Sequence, residues 1–257
     1  MKFLQSLSAQ VSLFTQGAIL ALGVVFILLD VITESLNPVI DLAWVTVLVC
    51  GLPLFINSVQ SIWERLEIHA NFLIVVAMVA LISIGDYHTA AYVGLIVQAG
   101  FFLEQLITGE SHYTVDDDML PTMPAQLVAM RQGINNYSSV IVVAVLLLSM
   151  GSFALTQDFI HTVTLLLVLC PCSLELILVA LMMGSLVDDA SPVSELSKGT
   201  KQSHLGLLIV SIVFHVAIIG AGVLGFIDPV TAVALHGFAR LGLVYNLKVL
   251  NGSLCVA

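Results

Sequence analysis

The sequence predicts an all-α polytopic membrane protein with eight transmembrane helices, and three observations predict it. Of its 257 residues, 59% are hydrophobic and only 9% charged, and the mean hydropathy is +1.09, far from the composition of a soluble domain. Eight apolar runs, at 11–33, 39–58, 70–85, 87–108, 138–157, 160–187, 205–227 and 229–250, approach or exceed the roughly 20 residues that cross a bilayer. Finally, Lys2, Arg65, Arg131, Lys198, Lys201 and Lys248 all fall on one side of an eight-span chain, whereas the opposite loops near Glu34, Asp86, Asp158 and Asp228 contain no Lys or Arg. This positive-inside bias puts both termini in the cytoplasm, in a plasma or inner membrane.

The first run follows a short, weakly basic start and is long enough to span, so it is expected to remain as a helix and not to be removed as a signal peptide. Gly51 and Pro53 are expected to kink the second. After it, residues 58–68 alternate polar and apolar faces at helical spacing. They form either an interfacial helix with Trp63 at headgroup depth or an ordinary loop with a breaker. Gly85-Asp86-Tyr87 reads as a tight turn that makes spans three and four a helical hairpin. The polar stretches at 109–137 and 188–204 are each shorter than a domain of about 50 residues. A net charge of −10 argues against nucleic acid or anionic lipid headgroups as partners, leaving the lipid bilayer itself.

Span six holds the most informative residues, Cys170-Pro171-Cys172. Proline has no N–H and opens the helix, which releases a backbone carbonyl, and thiolates suit soft or borderline cations such as Zn, Cd or Cu. Cys50 and Cys255 are scattered and read as ordinary thiols, with no disulfide framework. Glu175 shares a helix face with Cys172. It is either a third ligand or proton acceptor, or the ion-pair partner of Arg240, and the pair is preferred. His215 and His236 are candidate helper ligands or buried structural histidines. His161 is too far from Cys172 for one coordination sphere and reads as an outer-mouth or surface residue. Met150, Met182 and Met183 read as core filler, and Asp30, Asp41 and Glu104, near span ends, as snorkelling carboxylates.

Together these residues resemble the membrane sector of the heavy-metal-transporting P-type ATPases. The resemblance covers nearly all the spans and is carried by Gly85-Asp86-Tyr87-His88-Thr89-Ala90-Ala91 leading to Leu103-Glu104, by Leu169-Cys170-Pro171-Cys172-Ser173-Leu174, and by Gly225-Phe226-Ile227-Asp228-Pro229, Ala234-Leu235-His236 and Val244-Tyr245-Asn246-Leu247. It implies two leading helices with the interfacial segment over 1–68, and a six-helix metal-transport core over 69–257 with shortened cytoplasmic loops at 109–137 and 188–204. It also implies that Cys170 and Cys172 hold the ion in transit.

The family's Asp-Lys-Thr-Gly-Thr phosphorylation motif is absent. Thr108-Gly109-Glu110-Ser111 reads like its dephosphorylation loop, but with no phosphoaspartate to hydrolyse it carries no catalytic role. The chain also departs from both ion-selectivity patterns. It has Thr89 before Ala90-Ala91 where zinc-type members carry Glu, no Lys in span seven, and His236 in place of an acid; Phe214-His215 replaces the copper-type Tyr-Asn.

Two functions follow as expectations. One is a metal-binding permeation unit with Cys170, Cys172, Glu175, His215 and His236 as its candidate ligands. The other is a non-catalytic metal sensor, an assembly partner for a protein that supplies the missing cytoplasmic domains, or an engineered membrane-only chain. Hydrolysis of ATP by this chain alone is not expected, because phosphoryl transfer needs a nucleophile, phosphate-binding groups and magnesium that no cytoplasmic segment is long enough to provide.

Overall fold

In the computed structural model, residues 13–34, 42–65, 70–108, 125–170 and 196–254 are described, and they form eight helices and no strand. These are α1 (Leu13–Glu34), α2 (Ala43–Arg65), α3 (Ala70–Ser83), α4 (Tyr87–Thr108), α5 (Ala125–Thr156), α6 (Phe159–Val168), α7 (Leu196–Val223) and α8 (Pro229–Leu254). Two helices start well before the apolar runs that announce them. α5 begins at Ala125 and α7 at Leu196, inside the stretches expected as loops; Ala-Gln-Leu-Val-Ala-Met-Arg-Gln is rich in good helix formers, whereas Leu-Ser-Lys-Gly-Thr is not, and propensity does not explain the early start of α7. α2 runs through Pro53 to Arg65. The alternating segment after Ser58 therefore continues this helix, with Trp63 exposed on it. Residues 66–69 lie outside the described residues.

Three connections repeat one device. α3 ends in a Schellman motif: Gly85 adopts φ +82°, its N–H donates to the Ile82 carbonyl at 3.0 Å, and the Asp86 N–H donates to Leu81 at 3.0 Å. Asp86 then caps α4 by accepting the Thr89 N–H at 3.1 Å. α7 ends in the same way at Gly225, φ +73°, with Phe226 N–H donating to Ala221 at 2.9 Å. Asp228 caps α8 and accepts the Thr231 hydroxyl. That hydroxyl, aided by backbone N–H groups and opposed by partial burial, holds the Asp228 carboxyl below the usual carboxylate range. Between α5 and α6 the left-handed position falls to Gln157, φ 55°, and Asp158 caps α6 through the His161 N–H at 3.1 Å. A left-handed residue followed by a capping aspartate thus reverses the chain each time.

The surface is apolar and the interior holds polar groups. Phe14, Leu22, Leu28, Leu147, Leu148, Val213, Val216 and Phe238 are exposed, while Asp30, Gln98, His215 and His236 are buried. An apolar surface of this extent would not be stable facing water. Among the described residues, Phe14–Thr33, Ala43–Gln60 and Tyr137–Thr156 are long and apolar enough to cross a bilayer, which marks the chain as membrane-embedded. Asn71–Ser83, Phe159–Val168 and Ile209–Val223 are shorter apolar stretches.

α4 lies against α1, α2, α3 and α8, and the short α6 against α3, α5, α7 and α8. The core between them is built from Leu73, Ala77 and Leu81 of α3, Ala90 and Val93 of α4, Val142 of α5, Val163 and Val168 of α6, and Ala232 of α8. Cys50 is a buried free thiol packed among these helices. Met150 is 68% exposed, so it fills no core, contrary to the sequence expectation; its helix turns that face outward.

Asp30 departs from expectation most. It does not snorkel but is 6% exposed. Its Oδ1 accepts the Leu42 N–H at 2.8 Å, just ahead of α2, and its Oδ2 lies 3.2 Å from His88 Nδ1 on α4. Trp44 and Tyr87 stack beside it with centroids 4.8 Å apart. One carboxylate therefore ties the end of α1 to the starts of α2 and α4. Asp30→Ala is expected to lower stability by about 1–3 kcal/mol, because it leaves a part-buried N–H without its acceptor. Asp30→Asn, which keeps one carbonyl acceptor, should lose less, and thermal unfolding of the purified variants in one detergent checks the order.

Candidate metal centre

α6 stops where the sequence says it must. The residue before a proline is pushed out of helical geometry, and α6 ends at Val168, with Leu169 closing it by donating its N–H to the Leu165 carbonyl at 3.0 Å. Pro171 has no N–H to offer four residues back, so the Leu167 carbonyl loses its helical partner. Val163 to Val168 are all buried, and Cys170 follows, 5% exposed. α7 comes close to this helix end at Gly222, where an added Cβ would stand 3.0 Å from Val168 Cγ2 and 3.3 Å from its Cβ. A side chain there would push α7 off the strand of chain that carries Cys170.

A cavity of about 50 Å³ lies beside Cys170. α6 supplies Leu167 and α8 supplies Val233, His236, Gly237 and Arg240; the far wall is Ile96, Val97, Gly100 and Phe101 of α4, with Ile74 of α3. It has room for one water molecule or one bare ion. Its chemistry is sparse: one thiol, one imidazole and one guanidinium among apolar groups. A second imidazole stands behind the first. The rings of His215 on α7 and His236 are 5.4 Å apart and nearly perpendicular, and both residues are buried. His215 Nδ1 lies 2.8 Å from the Ser211 carbonyl. A carbonyl only accepts, so in this contact Nδ1 carries the proton.

Of the sequence candidates, the fold brings Cys170 and His236 to one cavity and sets His215 against His236. Cys172 and Glu175 lie outside the described residues, as do Met182 and Met183. Among the described residues no three His, Cys, Asp or Glu side chains are grouped so that they could hold a metal ion. His161 sits at the capped start of α6, near Gly225 and away from this cavity. It belongs to the turn.

Arg240 was expected to pair with Glu175. In the described residues it pairs instead with Glu104 of α4, with Nε donating to Oε2 at 3.0 Å and Nη2 to Oε1 at 3.3 Å. Its guanidinium carbon lies 5.3 Å from the centre of the Phe101 ring. Glu104 is therefore no snorkelling carboxylate. Its partner is 136 residues away in sequence, so no local pattern announces the pair.

Comparison with protein families, with curated proteins and with solved structures gave no match at any of the three levels.

Gly222 is a position outside the cavity through which packing can disturb the end of α6. Gly222→Leu is expected to cost about 1–3 kcal/mol by overpacking against Val168, with Gly222→Ala costing less, as measured by unfolding midpoints in detergent. Equal midpoints for wild type and Gly222→Leu would contradict the close approach of α7 to α6.

Proposed function

We propose that the chain is the ion-binding core of a membrane metal transporter, holding a soft or borderline cation (Zn, Cd or Cu) at Cys170 and Cys172, with His236 as a further ligand and His215 and Glu175 as helpers. The observation that carries this reading is the small cavity at which a proline-terminated helix delivers the buried Cys170 beside the buried His236. A lone buried cysteine in an apolar helix needs no such setting. The cavity suits a dehydrated ion, and the neutral imidazole and thiolate are donors of matching softness.

In this reading each of the eight helices belongs to one of eight spans, the sixth being the apolar run 160–187 that α6 begins, and the distribution of Lys and Arg supports cytoplasmic termini. The first two helices and the following segment, 1–68, support a six-helix transport core over 69–257. The likeness of its motifs to the membrane sector of heavy-metal P-type ATPases supports the same assignment. With no phosphorylation motif in the chain, energy for directed transport would come from a protein partner that brings the cytoplasmic domains. The sensor or assembly role remains the alternative, and it differs in one observable: metal bound without flux.

Thiolate ligation requires deprotonation, so uptake is expected to release protons and to weaken as pH falls. Purified wild type loaded with Zn(II) or Cd(II) and dialysed should retain metal by elemental analysis, and Cys170→Ala/Cys172→Ala should lose it. In proteoliposomes, wild-type flux that the double variant lacks would establish a permeation path. Metal retention in wild type without flux would favour the sensor or assembly role, and equal metal content in both proteins would overturn the site.

A further inference from the structure

The cavity that would take a cation already has a cation in its wall. Arg240 and His236 stand four residues apart on α8, so they project from one face about one turn apart, and both line the same space as Cys170. A guanidinium stays protonated at any working pH. In a water-poor interior its field repels a second cation more strongly than it would in water. An arginine at this place is compatible with metal occupancy only if its charge is cancelled or turned away.

Glu104 does both. The carboxylate meets the guanidinium as a two-pronged pair, with Oε2 3.0 Å from both Nε and Nη2 and Oε1 3.3 Å from Nη2, and the guanidinium carbon lies over the Phe101 ring, another wall of the cavity. The two side chains are only 24% and 21% exposed, so water screens the pair weakly. We infer that Glu104 is a positioning residue for cation binding: it neutralises Arg240 and holds it against Phe101, which sets the electrostatic cost of an ion entering beside Cys170 and His236. This inference rests on the metal-binding reading above.

A purely structural fastener and a charge-cancelling pair predict different signs. If the pair only joins α4 to α8, removing either member harms the protein alike. If Glu104 cancels Arg240, Glu104→Gln uncovers a positive charge and weakens binding, Arg240→Gln removes that charge and leaves binding equal or tighter, and Glu104→Gln/Arg240→Gln returns it to near the wild-type value.

The experiment is equilibrium dialysis of the full chain in detergent against Zn(II) and against Cd(II), with bound metal read by elemental analysis and unfolding midpoints recorded for every variant. The expected result is a loss on the order of tenfold in affinity for Glu104→Gln, with Arg240→Gln and the double variant within threefold of wild type or tighter. Affinity in Glu104→Gln equal to wild type, or weakened binding in Arg240→Gln, overturns the inference while leaving the metal site standing. No metal bound by wild type overturns the metal site and this inference with it. Should Glu104→Gln fail to fold, Glu104→Asp, which keeps the charge, is compared with Arg240→Gln: near-wild-type binding in the first with tighter binding in the second supports the charge-cancelling role, and weakened binding in Arg240→Gln overturns it.

Discussion

A polar group inside an apolar helical bundle has no water to turn to, and the described structure is arranged around that constraint. Helix ends are closed within a few residues: left-handed Gly85, Gln157 and Gly225 return N–H groups to the last carbonyls, and Asp86, Asp158 and Asp228 receive the first donors of the next helix. Asp30 serves the same need across helices by accepting from Leu42 and facing His88. Glu104 and Arg240 satisfy each other. The economy is not complete, since the buried hydroxyls of Thr46, Ser58 and Ser149 accept or donate no hydrogen bond; at the end of α6, Pro171 removes a donor beside the place where a buried thiol and a buried imidazole meet a small cavity.

That helix end gives the centre its chemical meaning. A helix that simply continued through residue 171 would keep the Leu167 carbonyl bonded and would present Cys170 as one more small apolar side chain. Ending the helix there places Cys170 at the helix terminus, where it and His236 line one small cavity. The lining is mostly apolar, which raises the cost of any uncompensated charge and so makes the nearby Glu104–Arg240 pair consequential.

Much of the fold was legible because long apolar runs and Gly-Asp turns are local signals. The hairpin at Gly85-Asp86-Tyr87 and the stop before Pro171 follow from backbone geometry that glycine and proline impose on their immediate neighbours. The early starts of α5 and α7 were not legible from hydropathy, which sees a span and not the polar helix that leads into it. Partnership was the weakest reading. Glu104 and Asp30 sit near the ends of apolar runs, where a carboxylate can reach water, and nothing local distinguishes that case from a partner on another helix; topology does. Cys170 and His236 were legible as residue types, and their shared cavity depends on α6 meeting α8. Met150 looked interior only because all its neighbours are apolar in a helix that faces outward.

The central claim is that a thiolate at the proline-terminated end of α6 ligates a metal ion, and X-ray absorption at the zinc edge of the zinc-loaded protein tests it most directly. Sulfur scatterers at about 2.3 Å together with nitrogen or oxygen at about 2.0–2.1 Å are the predicted shell. A first shell of nitrogen and oxygen alone, with no sulfur, would contradict the account.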